Sequence, residues 1–320
     1  MIIYIIKRVL WLIPIILCVT FIIFALLELA PGNVVDTMIS DQMTEEDIAQ
    51  LKEQYDLDKS VLYRYGKYIL NLLQGDLGRS LATGRPVWNE FSSRFPKTLQ
   101  LALTSLIIGV ALAVPLGIFA AKRAGTIWDN LTSLFSLFAL SMPGFWLGIL
   151  LIIWFSYNLG LFPIQYDGTI RSYILPAICT GLMLMAPTTR QTRSSMLENI
   201  RADYLRTARA KGVPERQVTT KHALRNAWIP IITTIGNSVA RTLAGSAVIE
   251  TVFGWPGIGA LTVNAVSRRD VTLACGCVVM TCIVYVLLLL LVDLLYAFVD
   301  PRVKTMYASG ARKKRRRLNA

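Results

Sequence analysis

Asp203-Tyr204-Leu205-Arg206-Thr207-Ala208-Arg209-Ala210-Lys211-Gly212 is a strongly basic stretch lying between two long apolar blocks. It continues through Val213-Pro214 to Lys221-His222-Ala223-Leu224-Arg225-Asn226-Ala227, after which the chain turns apolar again. From Arg190 to Arg225 the charged side chains are mostly cationic, opposed only by Glu198, Asp203 and Glu215. Helix-forming residues flank Gly212-Val213-Pro214 on both sides. Glycine accepts a left-handed cap and proline suits a first helical turn, so the pattern predicts a short helix, a sharp turn and a second helix. A basic knob between apolar blocks fits a loop at a membrane surface, and the blocks around it decide the fold.

Uncharged runs cover Val9 to Leu27, Thr98 to Ala121, Asn130 to about Tyr157, Ser172 to Thr189, Asn226 to Ile249 (interrupted by Arg241) and Val271 to Val292. Each approaches or exceeds the roughly 20 residues that carry a helix across a bilayer. In hydrocarbon every backbone amide must be bonded within its own segment, and the runs lack the alternation of a barrel strand. The expectation is an all-α, polytopic protein with six transmembrane helices. Composition agrees: 54% of residues are hydrophobic, 17% are charged, and the mean hydropathy is +0.52, outside the range of soluble domains.

The net charge of +13 is explained by topology. Lys7 and Arg8, Lys122 and Arg123, the 190–226 loop and the 301–320 tail all fall on one side of a six-span protein. The positive-inside rule makes that side, with both termini, cytoplasmic. Residues 1–30 read as a retained signal anchor, since Glu28 and Pro31 spoil a cleavage site. Residues 31–97 form a near-neutral external segment, 98–300 the five-helix core, and 301–320 a basic tail. The five cysteines sit in apolar runs and indicate packing, with no disulfide framework or metal site.

Within the external segment, Thr44-Glu45-Glu46-Asp47 resembles a capping box that opens a helix through about Gln54. Leu57-Asp58-Lys59-Ser60 is a break, and a second helix runs from about Val61 to Leu73, ending at Gly75. Tyr65, Tyr68, Ile69 and Leu72 share one face of it, suited to packing on the membrane mouth. Gly78 to Arg85 fails as a phosphate loop on spacing and on its missing Lys-Ser/Thr. Prolines at 14, 115, 143, 176, 187 and 230 predict kinks around a conduit.

Together, Arg206 to Gly212 with His222 to Ala227 resemble the peptide/nickel form of the EAA loop of binding-protein-dependent ABC importers. The resemblance extends to Ala30-Pro31-Gly32, Gly75-Asp76-Leu77-Gly78-Arg79-Ser80, Glu250-Thr251-Val252-Phe253-Gly254-Trp255-Pro256-Gly257-Ile258-Gly259, Val292-Asp293-Leu294-Leu295-Tyr296 and Asp300-Pro301-Arg302. Arg206 and Arg225 stand where the general pattern has glutamate and proline, and the tail 311–320 lies outside it. The family implies a type I importer permease in a bacterial or archaeal cytoplasmic membrane. It also implies a homologous second permease, two cytoplasmic ATPases that hold ATP and magnesium, and an external substrate-binding protein. Arg206, Thr207, Ala208, Arg209, Ala210, Lys211, Gly212 and His222 would then form the ATPase-coupling loop, and this chain would hold no cofactor. Dipeptides or oligopeptides are the implied cargo, with nickel chelates, opines and sugars as alternatives within the subfamily.

Arg241 is placed within the fifth run, where a charge is costly and faces a cavity or a partner. It either lines the path or pairs with Asp293, Glu28 or the second permease. Glu250, Phe253, Pro256 and Gly257 complete a candidate path or gate. His222, the chain's single histidine, has no nucleophile or ligand set beside it. No paired acid and base supports an enzyme, no nucleic-acid site is indicated, and a secondary transporter would show repeats and midplane ion-coupling clusters.

Overall fold

The computed structural model describes residues 2–29 and 58–299, with positions 46, 50, 53 and 56 between them. Of the expected helix from Thr44 to about Gln54, the described positions 46, 50 and 53 are helical; the Ala30-Pro31-Gly32 and Asp300-Pro301-Arg302 motifs and the tail lie outside the described residues. Among the described residues the chain is helical, with one isolated bridge between Arg79 and Pro86. The helices are α1 (Ile2–Leu29), α2 (Val61–Leu73), α3 (Val87–Lys122), α4 (Ile127–Ser141), α5 (Gly144–Leu151), α6 (Arg171–Ile200) and α7 (Asp203–Ala210). They continue as α8 (Leu224–Gly245), α9 (Ala247–Val252), α10 (Ile258–Ser267) and α11 (Val271–Val299).

Four of these, α1, α3, α6 and α11, are long and apolar enough to cross a membrane. The expected span from Asn130 to Tyr157 is not one straight helix. It divides into α4 and a second limb, Gly144–Asn158, bent by 101°. Proline lacks an N–H and drives the residue before it out of helical geometry; Met142 accordingly has ψ 129° and Pro143 caps α5. Pro14, Pro115, Pro176, Pro187 and Pro230, and Pro96 with them, stand inside helices instead. The expected span from Asn226 to Ile249 also divides, at Ser246. Its first part, α8, carries Thr233, Thr234, Asn237, Ser238 and Arg241, which keep it from being apolar like the four.

Helices α3 and α6 make the principal pairing of the bundle. Ser105, Gly109, Ala113, Gly117 and Ala121 recur every fourth residue of α3, and all five are buried. Such a stripe lets backbones approach closely in a medium where apolar burial gives no drive between helices. A methyl on Gly117 would lie 2.5 Å from Thr192 Cβ, and one on Gly109 would lie 2.9 Å from the Gly181 carbonyl oxygen. Thr188 and Thr192 turn their hydroxyls onto carbonyls one turn back on α6, at 2.8 Å each, which satisfies those two within the helix, whereas Ser105 Oγ and Thr189 Oγ1 are buried without a partner among the described residues.

Helix α2 has the predicted bounds. Ser60 accepts the Tyr63 amide as its N-cap, and the predicted face packs on α1 and α11 through Tyr65, Tyr68, Ile69 and Leu72 against Phe24, Val271 and Cys275. The Tyr65 hydroxyl donates to the Leu17 carbonyl at 2.8 Å, tying α2 along α1.

Candidate functional site

The basic turn is positioned by the two helices that flank it. Leu205 is fully buried among Met196, Val218, Ala223, Ala227 and Ile231, which pins α7 under the ends of α6 and α8. Tyr204 links the same elements, donating to Asn199 Oδ1 at 3.0 Å and accepting from Asn226 Nδ2 at 2.9 Å. Gly212 has φ +76° and closes α7 as a Schellman cap: its amide donates to Arg209 O at 2.9 Å and that of Val213 to Ala208 O at 3.2 Å. A bidentate fork spans the turn, with Arg209 Nε and Nη2 each 3.0 Å from a carboxylate oxygen of Glu215. The guanidinium holds the Glu215 carboxyl below its ordinary value.

Of the predicted loop residues, Arg206, Thr207, Arg209, Ala210, Lys211 and Gly212 are exposed on this knob, while Ala208 is half-buried and packs inward with Val213 against the Leu205 cluster. The expected second helix of the knob is not separate. Pro214 caps one helical turn, Glu215–Gln217, which passes through a π-helical stretch, Val218–Ala223, straight into α8. His222 is half-buried in that stretch.

Arg241 stands one turn before α8 ends at Gly245, on the wall of a cavity of about 620 Å³. The corner at Pro143 shapes it: Ala139, Leu140 and Met142 arrive on one side of the bend and Gly144 and Phe145 on the other, with α6, α8, α9 and Tyr285 of α11 closing the rest. Methionines 142 and 183, Leu184 and Ile249 make it largely apolar. Among the described lining residues Arg241 carries the only formal charge. The side chains of Glu28 and Asp293, its expected partners, lie outside the described residues.

Of Glu250, Phe253, Pro256 and Gly257, none lines that wall; Glu250 and Gly257 meet, and Phe253 packs in a separate cluster. Glu250 is fully buried. Its Oε1 accepts the hydroxyls of Thr98 at 2.8 Å and Ser246 at 2.9 Å, and its Oε2 accepts the Ala260 amide at 2.9 Å. Thr98 also accepts the Ile258 amide at 2.8 Å, so one carboxylate ties α3, α9 and α10 together. A methyl on Gly257 would overlap the Glu250 carboxyl. Phe253 packs against Leu175, Cys179 and Ile249. Of the five candidate path residues, Arg241 alone lines the cavity.

Two clusters escaped sequence reasoning, both at the end of the bundle opposite α7. Lys97 Nζ donates to Tyr166 at 2.9 Å and Tyr173 at 3.1 Å, and fully buried Trp255 donates from Nε1 to Lys97 O at 3.1 Å. The ammonium holds the Tyr166 hydroxyl below its ordinary value. Asp270, also fully buried, caps α11 through the Leu273 amide at 2.9 Å and clamps the 78–86 turn through Ser80 Oγ at 2.5 Å and the Ala82 amide at 3.1 Å. Aromatic residues in loops and a lone Asp before an apolar run were the available signals, but their partners are distant in sequence.

Comparison with known proteins places these features in context. Residues 113–305 match the model of the binding-protein-dependent transport system inner membrane component, and residues 1–102 match that of the N-terminal part of such membrane components. The chain is 37% identical to the di/tripeptide transport system permease protein DppB of Pseudomonas aeruginosa (strain UCBPP-PA14), covering 94% of this chain and 98% of that protein. It is 38% identical to the oligopeptide transport system permease protein AppB of Bacillus subtilis (strain 168), over 94% and 99%. It is also 38% identical to the glutathione transport system permease protein GsiC of Salmonella paratyphi A, over 94% and 98%. Among solved structures, a chain of the inward-facing MetNI methionine ABC transporter aligns with a TM-score of 0.54 and 19% identity, over 64% of this chain and 93% of that one. That likeness concerns the fold.

Proposed function

The chain belongs to the family of binding-protein-dependent transport system inner membrane components, and on that premise we propose that it forms half of the translocation path of an ATP-driven importer of short peptides. The carrying observation is that near-full-length relatives are permeases named for di/tripeptides, oligopeptides and glutathione. Those names favour short peptides over nickel chelates, opines, sugars or an ion-coupled mechanism. A cavity of about 620 Å³ is within the size range that encloses small ligands.

In this reading the chain crosses the membrane six times, with the bent pair α4–α5 as one crossing and α8–α9 as another, and both termini cytoplasmic. The knob of α7 and Gly212 seats on a cytoplasmic ATPase, a homologous permease completes the path, and a binding protein docks at the Trp255 end. Closure of the ATPases would displace the knob and rock the helices between two states. ATP and magnesium stay with the partners. Uptake of labelled dipeptides, tripeptides and glutathione by proteoliposomes holding the complete importer tests the proposal. ATP-dependent entry of peptides is expected; entry of a nickel chelate or sugar with none of the peptides would overturn it.

A further inference from the structure

The cavity's polar groups are unevenly committed. Of its hydroxyls, Thr180 donates to the Pro176 carbonyl at 2.9 Å and Ser246 to Glu250 at 2.9 Å. Ser238, Thr242 and Tyr285 bond to no partner among the described residues, and all three share the wall with Arg241. On α8, Ser238 lies three residues before Arg241 and Thr242 one after, so Ser238 is its neighbour on the same face.

A methyl on Gly236 would overlap Val292, while Arg241 and Tyr285 both line the cavity, so α8 and α11 run antiparallel. That register sets the backbone of Asp293 opposite residue 235, which is six residues, or about 9 Å of helix, from Arg241.

A guanidinium beside uncommitted hydroxyls, on a wall otherwise largely apolar, is built for an anion attached to an apolar body. Planar carboxylates suit the guanidinium fork. We propose that Arg241 anchors the C-terminal carboxylate of the peptide in transit, with Ser238, Thr242 and Tyr285 completing the anion site. The proposal rests on the peptide-importer reading and adds to it a requirement for a free C-terminus inside the membrane. Amidated peptides lack the anion and gain nothing from the cation. Release toward the cytoplasm needs the site to loosen as the helices rock, and α8 is the element that carries both Arg241 and the link to the knob.

Equilibrium dialysis of the assembled transporter, without its binding protein, compares trialanine with trialanine amide; proteoliposome uptake of trialanine runs alongside. The wild-type assembly is expected to retain the acid over the amide, and R241Q to lose that preference and import trialanine about 10-fold more slowly at equal complex yield. R241K should recover part of both, as it restores charge without the fork. Equal retention of acid and amide by the wild type, retention of neither, unchanged uptake by R241Q, or the same loss in D293N would each overturn the anchor while leaving peptide import standing. Failure of the wild type to import any peptide would instead remove the premise.

Discussion

Arg193 donates from Nε and Nη2 to the two carboxylate oxygens of Asp129, at 2.5 and 2.7 Å, and so fastens the start of α4 to the C-terminal third of α6. The Asp129 side chain is only 3% exposed, and its remaining acceptor capacity takes the Gly125 amide at 3.0 Å. Removing the guanidinium strands a buried carboxylate, a change that costs roughly 3 kcal/mol where the pair is well buried and less where, as here, the arginine is partly exposed. R193Q is expected to lower the melting temperature of the detergent-solubilised protein by several degrees, and D129N, which removes the charge and keeps the shape, by less. Equal melting of R193Q and wild type would show that the fork contributes nothing.

The turn at Gly212 should weaken in acid. Because Arg209 holds Glu215 below its ordinary value, the carboxylate stabilises the folded turn above its unfolded-state value, near 4.5, and that contribution disappears as pH falls through the lower folded value. Hydrogen-exchange protection factors of the 205–213 segment are therefore expected to be flat near neutrality and to decline below the ordinary carboxylate range. E215Q should abolish the decline and start from lower protection. A decline of the same size in E215Q would assign it to another group.

Substitutions at Gly212 separate backbone geometry from bulk. No atom lies within 4 Å of a methyl placed there, so the cost is that of a left-handed backbone, on the order of 1 kcal/mol for alanine. Asparagine adopts that conformation more readily and should be milder. G212W is expected to insert normally into the membrane yet lose co-purification with the ATPases, since the open space is where the partner would sit. Normal co-purification of G212W would move the coupling contact elsewhere.

Asp270 holds the 78–86 turn through Ser80 and Ala82, and the exposed Arg79 and Arg85 lie on it. D270A should release the turn and expose it to trypsin added to the outside of intact cells or spheroplasts, with new cleavage after Arg79; the Arg85-Pro86 bond is not a trypsin site. The same protease applied to wild type should cut there slowly. Cleavage of D270A only from the cytoplasmic face would reverse the proposed orientation.

How much could be read from the chain depended on how local each signal was. The bounds of α2 follow from Ser60, the Tyr65-Tyr68-Ile69-Leu72 face and Gly75, all within one segment, and the Gly212 cap likewise needs only its neighbours. Six prolines offered six similar local signals, yet the chain turns sharply at Pro143, where Gly144 packs tightly against Met183 of α6; that neighbour is invisible to a local reading. The Ser105-to-Ala121 stripe was present in the sequence but merged with the surrounding apolar residues, because hydropathy does not distinguish lipid from a packed helix. Glu250 was legible as a charge near a turn, while its three donors come from α3, the cap residue Ser246 before α9, and α10. Arg241 stood out at once, and the hydroxyls at 238 and 242 were its overlooked companions.

From Glu215 to Gly245 the backbone is helical without a loop, the π-helical stretch included. In the proposed coupling this segment would be a lever whose short arm is the knob and whose long arm carries Arg241, with Pro230 and the π-helical stretch as the two points where it can bend. At 1.5 Å per residue the arm from Val218 to Arg241 is about 35 Å. Tilting it by 10° displaces the far end by about 6 Å by simple geometry on that length, wider than one turn of helix. A small angular error at the knob end would be multiplied in the same way, which makes stiffness at those two points, more than contact at either end, the quantity that selection on this subunit would have to hold constant.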